Sequence, residues 1–190
     1  MSIAYLITPL SKKIPVDENA HYIGVDAGSY RILEQNLKIE YAIGDFDSMS
    51  EKELQGLKKI CPVYQYPVMK DETDSELAVL KTFEKYDLII SPVLCCLPIK
   101  NSNDGNTKGP KVLNGHPIEQ LIGWTQTFLV NFVGYPAASV PAGLSRSGLP
   151  IGMQIIGKRH HDEDVLIASR MFEKIADWKE YYKVPFNRKI

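Results

Sequence analysis

Apolar residues in the first 80 positions follow two kinds of pattern, short continuous runs and stripes at helical spacing. Short runs between turn residues predict buried strands, whereas stripes that repeat every three or four residues predict amphipathic helices. Two capping-box patterns, Ser50-x-x-Glu53 and Thr73-x-x-Glu76, mark helix starts. The predicted strands are residues 4–8, 22–26, 41–45 and 63–66, and helices are predicted at residues 29–36, at residues 51–60 and from residue 74 onward.

The stretch from residue 74 to residue 92 predicts a helix that runs directly into a strand. Leu77, Leu80 and Phe83 recur at helical spacing, so we expect them on the buried face of the helix. The apolar run 88–90 predicts a short buried strand, which Pro92 ends. The pattern changes after this stretch, because a polar loop follows in place of another strand and helix.

The second half of the sequence alternates less regularly. The turn at residues 145–148 contains Gly148 and separates two strand-like runs, which predicts a hairpin. Strands that alternate with helices predict an α/β fold with a mixed, largely parallel sheet, helices on both faces and one composite domain. The predicted elements here are a helix at 117–133, strands at 137–142 and 151–156, and a helix at 162–178.

Acidic residues follow the predicted strands of the first half. Because ligands gather at the carboxyl ends of parallel strands, these acids are expected along one edge of the sheet. Oxygen-only ligands suit Mg²⁺, and Lys70 could contact a phosphate. The alternative is that several of these acids serve turns and helix starts only. The five acids are Asp26, Asp45, Asp47, Asp71 and Asp74.

Composition narrows the functional classes. A hydrophobic content of 44% with 24% charged residues is typical of a globular protein, and a net charge of −1 argues against nucleic-acid or anionic-membrane binding. No apolar run reaches the roughly 20 residues that a membrane span needs. The three cysteines are Cys61, Cys95 and Cys96, an odd number that predicts reduced thiols in a cytoplasmic protein, with the adjacent pair as buried apolar filling.

Three motifs occur in register in the first half, GVDAG at residues 24–28, GDFDS at 44–48 and KDETD at 70–74. Their order and spacing resemble thiamine pyrophosphokinase over about residues 1–82. The resemblance implies an α/β half that binds ATP and Mg²⁺, in an enzyme that transfers a pyrophosphoryl group from ATP to thiamine. Where that family has a glycine-rich turn after its first strand, this chain has Thr8-Pro9-Leu10-Ser11.

The thiamine pyrophosphokinase resemblance also implies roles for particular residues. The residues implied to be catalytic and to hold the metal and phosphates are Asp45, Asp47, Asp71 and Asp74. The residues implied to line the nucleotide pocket are Asp26, Gly28, Gly44, Ser48 and Lys70. ATP is the implied substrate with Mg²⁺ as cofactor, thiamine is a further candidate ligand, and a homodimer is an open alternative.

Two further motifs, GYPAASVPAG at residues 134–143 and GLPIGMQIIG at 148–157, resemble the C-terminal portion of the amidase signature family. The resemblance spans about residues 83–178, so the sequence divides into parts 1–82 and 83–190 and has the form of a chimera. That family hydrolyses amides with a Ser–Ser–Lys triad in a glycine- and serine-rich segment. Ser139, Ser145 and Ser147 do not lie in such a segment.

Three hypotheses about function follow. The first is thiamine pyrophosphokinase-like Mg·ATP binding, with transfer to thiamine weak or absent because the thiamine-binding half is missing. The second is an amidase-like hydrolase, which lacks a recognisable nucleophile and base. The third is a folded chimeric scaffold without activity. Only the first part carries its family's catalytic acids, which favours the first hypothesis among enzymatic functions.

Overall fold

The computed structural model of the chain describes residues 3–9, 11, 13–69, 73–103, 105 and 107–178. The backbone divides into two compact units, Met1–Tyr86 and Asp87–Ile190. The α/β class is confirmed, and so is a parallel sheet with helices on both of its faces. The single composite domain is corrected to two units, because the strands of the two units belong to separate sheets.

The first unit contains a parallel sheet of four strands in the order β1-β2-β3-β4. Helix α1 packs against β1, β2 and β3, and helix α3 packs against β2 and β3. The strands are β1 (Ile3–Ile7), β2 (Ala20–Val25), β3 (Ile39–Gly44) and β4 (Val63–Gln65), and the helices are α1 (Gly28–Glu34), α2 (Glu51–Ile60) and α3 (Asp74–Phe83).

Alternation along the strands builds a separate core on each face of this sheet. Tyr22 and Ala42 pack with the buried residues of α1 and α2 on one face. Ile23 and Ile43 pack with Leu77 of α3 on the other. Apolar strands with both faces covered are expected inside a parallel sheet, so the sequence pattern correctly indicated burial for β2 and β3, whereas the edge strand β4 has no buried residue.

Helices α2 and α3 each carry an apolar stripe of three residues, of which one is exposed. Leu77 and Phe83 of α3 are buried, whereas Leu80 is 46% exposed. In α2, Leu54 and Leu57 are buried and Ile60 is 59% exposed. Both exposed residues, Leu80 and Ile60, lie within the last four residues of their helix.

The second unit contains a three-stranded antiparallel sheet in the order β5-β9-β8 and a short antiparallel pair β6-β7. Helix α5 packs against β8 and β9, with Val165 buried beside Gly157. The elements are β5 (Leu88–Pro92), β6 (Val112–Leu113), β7 (His116–Pro117), α4 (Thr127–Val133), β8 (Ala137–Leu144), β9 (Pro150–Gly157) and α5 (Asp162–Ile175).

The hairpin β8–β9 and the helix–strand stretch α3–β5 are confirmed, but β5 is not a buried strand of a parallel sheet. It pairs antiparallel with β9 at the edge of the second unit's sheet. Ile90 is 62% exposed, because the helix that covers this sheet packs against β8 and β9. Secondary structure at this stretch was thus predicted correctly, while the partner of the strand was not.

The helix predicted at 117–133 is wrong over its first half. The Glu119 carboxylate accepts hydrogen bonds from the backbone N–H groups of Leu121 and Ile122, at 2.7 and 2.8 Å. Such side-chain bonds give the backbone an alternative to helical pairing, and only Thr127–Val133 is helical. Leu121 and Ile122 are both more than half exposed, so they form no inner face.

The capping box at the start of α2 makes stability depend on pH. The Ser50 hydroxyl and backbone N–H both donate to the Glu53 carboxylate, at 2.6 and 2.8 Å, and lower the pKa of Glu53. This contribution is fully present above the ordinary carboxyl pKa of about 4.3. It is lost as the pH falls through the lowered pKa of the folded state.

We therefore expect the stability difference between the wild type and Glu53→Gln to shrink as the pH falls from 7 to 3. Urea unfolding at each pH measures it, and the Ser50→Ala/Glu53→Gln pair completes a double-mutant cycle. A difference that stays constant over this range would show that the carboxylate form of Glu53 does not stabilise the helix start.

Candidate functional site

The carboxyl ends of β2, β3 and β4 meet at one edge of the first unit's sheet. The Asp26 N–H, directly after β2, donates to the Ile43 carbonyl of β3 at 2.8 Å. The Tyr66 N–H, directly after β4, donates to the Gly44 carbonyl at 2.9 Å. We call Asp26 together with residues 44–48 the acidic edge, since it contains Asp26, Asp45 and Asp47.

Asp26 is held in an unusual conformation at this edge. Its φ of 48° is in the left-handed region, which aspartate and asparagine tolerate better than most residues. Ser48 Oγ donates to Asp26 Oδ2 at 3.2 Å. Asp26 Oδ1 is buried and accepts no hydrogen bond from the described residues. A buried carboxylate oxygen without a donor is costly, and a cation or ligand would offset that cost.

Glycine is required at two positions beside Asp26. At Gly44, with φ of 153°, a Cβ would lie 3.1 Å from the Asp26 Cα. At Gly28, a Cβ would lie 2.0 Å from the Ile7 carbonyl oxygen at the end of β1. Gly28 of the first motif and Gly44 of the second are thus explained by the close approach of backbone segments.

The turn after β3 places the next two acids. Asp45 Oδ1 accepts from the Asp47 N–H at 3.2 Å, and Phe46 is buried with φ of 59°. Asp45 is half-buried, whereas Asp47 and Ser48 are exposed. The buried Phe46 ring fixes the turn to the core, so the acids on either side of it have defined positions.

The third motif is described only in part. Asp74 is the first residue of α3 and is half-buried. Thr73 caps the helix by accepting from the Glu76 N–H at 3.2 Å. Lys70 and Asp71 lie outside the described residues. The structure therefore brings Asp26, Gly28, Gly44, Asp45, Asp47 and Ser48 to one edge, and the four-acid metal set stays a prediction.

The carboxylate oxygens at the acidic edge are of the type that Mg²⁺ prefers, but the described side chains do not supply a complete coordination shell. Within residues 3–9, 11, 13–69, 73–103, 105 and 107–178, no three His, Cys, Asp or Glu side chains lie close enough to hold one metal ion. Mg²⁺ in nucleotide sites uses one or two carboxylates and completes its shell with phosphate oxygens and water. The unpartnered Asp26 Oδ1 is consistent with that kind of shared site.

The second unit holds two serine hydroxyls in contact. Ser145 Oγ and Ser147 Oγ are 3.0 Å apart in the exposed hairpin turn, and Ser145 Oγ also accepts from the Leu149 N–H at 3.0 Å. In the described part of the chain, no lysine or histidine hydrogen-bonds to either serine. The contacts that these two serines make are those of a hairpin turn, and a serine without a base is a poor nucleophile.

Sequence reasoning missed one pair of residues in the second unit. Cys95 and Cys96 are half-buried rather than buried, and both line an open cavity. Gln126 Nε2 donates to Cys95 Sγ at 2.6 Å. The adjacency of the two cysteines was the available signal, but their exposure depends on the tertiary structure.

As for membranes, none of the helices among the described residues has the length and apolar character that a membrane span requires.

Two family models match overlapping parts of the chain. The amidase family matches residues 61–166, and the thiamin pyrophosphokinase catalytic domain matches residues 15–97. The two matches confirm the chimera that the sequence motifs indicated. Residues 61–97, which include the α3–β5 stretch, are matched by both families.

Several curated proteins are similar to about half of the chain. A glutamyl-tRNA(Gln) amidotransferase subunit from Geotalea daltonii is 37% identical over 99 residues, which is 52% of this chain and 19% of that protein. The corresponding protein from Lactococcus lactis subsp. cremoris is 34% identical over 108 residues, 57% of this chain and 20% of that protein. The chain thus spans about a fifth of the length of these relatives.

A solved structure supports the same similarity. A bacterial aryl acylamidase of the amidase signature enzymes aligns with a TM-score of 0.54 at 35% identity. The alignment covers 85% of this chain and 33% of the acylamidase.

Proposed function

The chain belongs to the amidase family. We propose that its first unit binds ATP with Mg²⁺ at the acidic edge. We propose further that its second unit is a scaffold without a hydrolytic centre. The observation that carries the proposal is the buried, unpartnered Asp26 Oδ1 among glycines that let backbone segments approach closely. Transfer to thiamine is proposed to be weak or absent.

The charge at the acidic edge supports binding of a cation with its counter-anion. Asp26, Asp45 and Asp47 place three carboxylates within two neighbouring turns of one unit. The negative charge of these turns would attract a divalent cation to this edge of the sheet. Asp26 and Asp45 would hold the ion, and phosphate oxygens of ATP would complete its coordination.

Mg²⁺ when bound would neutralise phosphate charge, which is the main electrostatic requirement of phosphoryl-group chemistry. Residues of the chain would position the carboxylate that binds this ion. The Ser48 hydroxyl orients the Asp26 carboxylate, and the absence of side chains at Gly28 and Gly44 permits the backbone contacts that fix it. Lys70 and Asp71 are proposed to join the site by the resemblance of their motif.

The second unit supports amide hydrolysis less well. The described serines of its hairpin turn contact one another or the backbone and have no lysine or histidine partner among described residues. The curated relatives are about five times longer than the aligned segment. Release of ammonia or of an aryl amine by the purified chain would contradict the proposed scaffold role.

The proposal is tested by calorimetric melting with and without Mg·ATP. A ligand that binds only the folded form stabilises it by about 2.7 kcal/mol at 100 times its Kd, so the melting temperature should rise. Asp26→Asn keeps the size and the left-handed tolerance of the residue but removes its charge, and Asp45→Asn removes the second ligand. Both variants should lose most of the Mg·ATP shift.

Glu18→Gln is the matched control, because Glu18 is an exposed carboxylate that precedes β2 at the opposite edge of the same sheet. It should keep the full shift. A wild-type melt that ignores Mg·ATP, or variants that respond as the wild type does, would reject nucleotide binding at the acidic edge. A shift that occurs equally with ATP in EDTA would reject the role of Mg²⁺.

A further inference from the structure

Helix α5 packs against the second unit's sheet with one side and presents apolar residues on the other. Its buried residue is Val165, which lies beside Gly157 of β9. Ile167, Met171 and Ile175 are between 50% and 82% exposed. Their spacing of four residues places them on one face, and Ile167 lies about 160° around the helix from Val165. The outer side of α5 is therefore apolar.

Charged residues extend this outer side into a regular seam. Asp164, Ile167, Met171 and Lys174 follow one another at intervals of three, four and three residues, which is the a/d spacing of a coiled coil. Asp164 lies in the first turn of α5, Lys174 lies in the last turn, and both are exposed. We call these four residues the α5 seam. It has an acid at one end, a base at the other and apolar residues between them.

A second copy of the same helix complements the α5 seam when the two helices run antiparallel. With a two-fold axis at residue 169, Ile167 lies opposite the partner's Met171, and Asp164 lies opposite the partner's Lys174. Each of these contacts occurs twice in the pair. A parallel pair would place acid against acid and base against base, and such like-charge contacts are unfavourable. The charges of the seam therefore favour the antiparallel arrangement.

The polar groups along the seam are compatible with this arrangement. The Asp164 carboxylate contacts His161 Nδ1 at 3.1 Å and is still 48% exposed. Lys174 forms no ion pair with another residue in the part of the chain that the structure describes. Ser169, at the proposed axis, donates its hydroxyl to the Val165 carbonyl at 2.7 Å, so it needs no partner across the interface.

We propose that the α5 seam is a homodimer interface in which two copies of this chain pair helix α5 antiparallel. Burial of the apolar residues supplies the affinity, and the exposed ion pairs at the two ends fix the orientation. Helix α5 has 14 residues and is about 21 Å long. Contact along one short helix buries less than the roughly 1,200–2,000 Å² of a stable interface, so the dimer is weak and depends on concentration.

Sedimentation velocity of the full chain, at micromolar to near-millimolar concentrations, measures the dimer. The wild type should shift from monomer toward dimer as its concentration rises. Met171→Glu keeps a similar helix propensity but places a charge in the seam twice per dimer, so the dimer affinity should fall about 100-fold or more. Circular dichroism checks that the helix content is unchanged. If this variant unfolds, the charge variants below decide the question.

Lys174→Glu places like charges opposite each other at both ends of the seam, and so does Asp164→Lys. Each single change should weaken the dimer about 10-fold. The double variant Asp164→Lys/Lys174→Glu restores opposite charges and should recover most of the wild-type affinity. Recovery of this kind would not follow from separate structural damage by the two substitutions. A double variant that stays as weak as the single variants would overturn the antiparallel pairing.

Ile60→Glu is the matched control, because Ile60 is as exposed as Met171, at 59%, but ends α2 in the first unit. It should dimerise as the wild type does. The inference is overturned if the wild type stays monomeric at every concentration, if Met171→Glu dimerises normally, or if Ile60→Glu does not. A monomeric wild type that binds phospholipid vesicles through Met171 would assign this face to a membrane surface instead. None of these outcomes depends on whether Mg·ATP binds to the first unit.

Discussion

Replacing Gly28 by alanine is expected to destabilise the first unit strongly. The added Cβ would lie 2.0 Å from the Ile7 carbonyl oxygen and 2.8 Å from the Ile7 and Thr8 carbonyl carbons. All three contacts are to backbone atoms, so no side-chain rotation relieves them, and α1 must move away from β1. We expect a loss on the order of 4 kcal/mol or more, a large share of the roughly 5–15 kcal/mol that stabilises a typical domain.

Gly56→Ala is the matched control for this change. Gly56 lies inside α2, and a Cβ there would meet no atom within 4 Å. Alanine has a higher helix propensity than glycine, so this variant should gain about 0.5–1 kcal/mol. Urea unfolding followed by far-ultraviolet circular dichroism, with hydrogen exchange of the β1 and β2 amides, measures both variants. Equal stability of the two variants would show that α1 is not packed against β1 as closely as described.

Replacing Ile43 by alanine is expected to cost about 2–5 kcal/mol, the usual range for a fully buried isoleucine. Ile43 is 0% exposed and lies in the cluster formed by β2, β3 and α3, beside Ile23 and Leu77. Removal of three carbons leaves a void between the sheet and α3 that neither backbone can fill. The loss therefore includes both the transfer of apolar surface and the cavity.

Ile3→Ala provides the comparison with the same chemical change. Ile3 begins the edge strand β1 and is 45% exposed, so we expect its loss to be well below that of Ile43. Denaturant midpoints of the two variants, at an unchanged dependence on denaturant concentration, give the two free energies. A cost at Ile3 equal to that at Ile43 would mean that the α3 face is not the main core of this unit.

Local signals in the sequence identified most elements of the first unit. The capping box at Ser50 and Glu53 is formed with both of its hydrogen bonds, and Thr73 caps α3. Each signal depends on residues within four positions of one another, so the physics that produces it does not need the rest of the fold. The hairpin β8–β9 was predicted for the same reason, from a turn glycine between two short apolar runs.

Features that depend on residues far apart in the chain, such as the burial of a helix face, were predicted less accurately. One local signal was missed as well, because the apolar stretch at 117–133 predicted a helix, whereas the Glu119 carboxylate accepts hydrogen bonds from the N–H groups of Leu121 and Ile122. The exposure of Leu80 and Ile60 depends on which elements cover each helix face, and that information is absent from a helical stripe. The metal set could not be judged from spacing, because proximity of carboxylates depends on the turns between them.

The sequence by itself determined the identity of most elements, the two family resemblances and the acids that follow the parallel strands, because each of these depends on neighbouring residues. Only the tertiary structure decided that β5 pairs antiparallel with β9, that the chain forms two units, and that Cys95 and Cys96 share a cavity. Strand partners and cavity walls come from residues far apart in the chain. Local propensity does not distinguish one distant partner from another, whereas packing and backbone hydrogen bonding do.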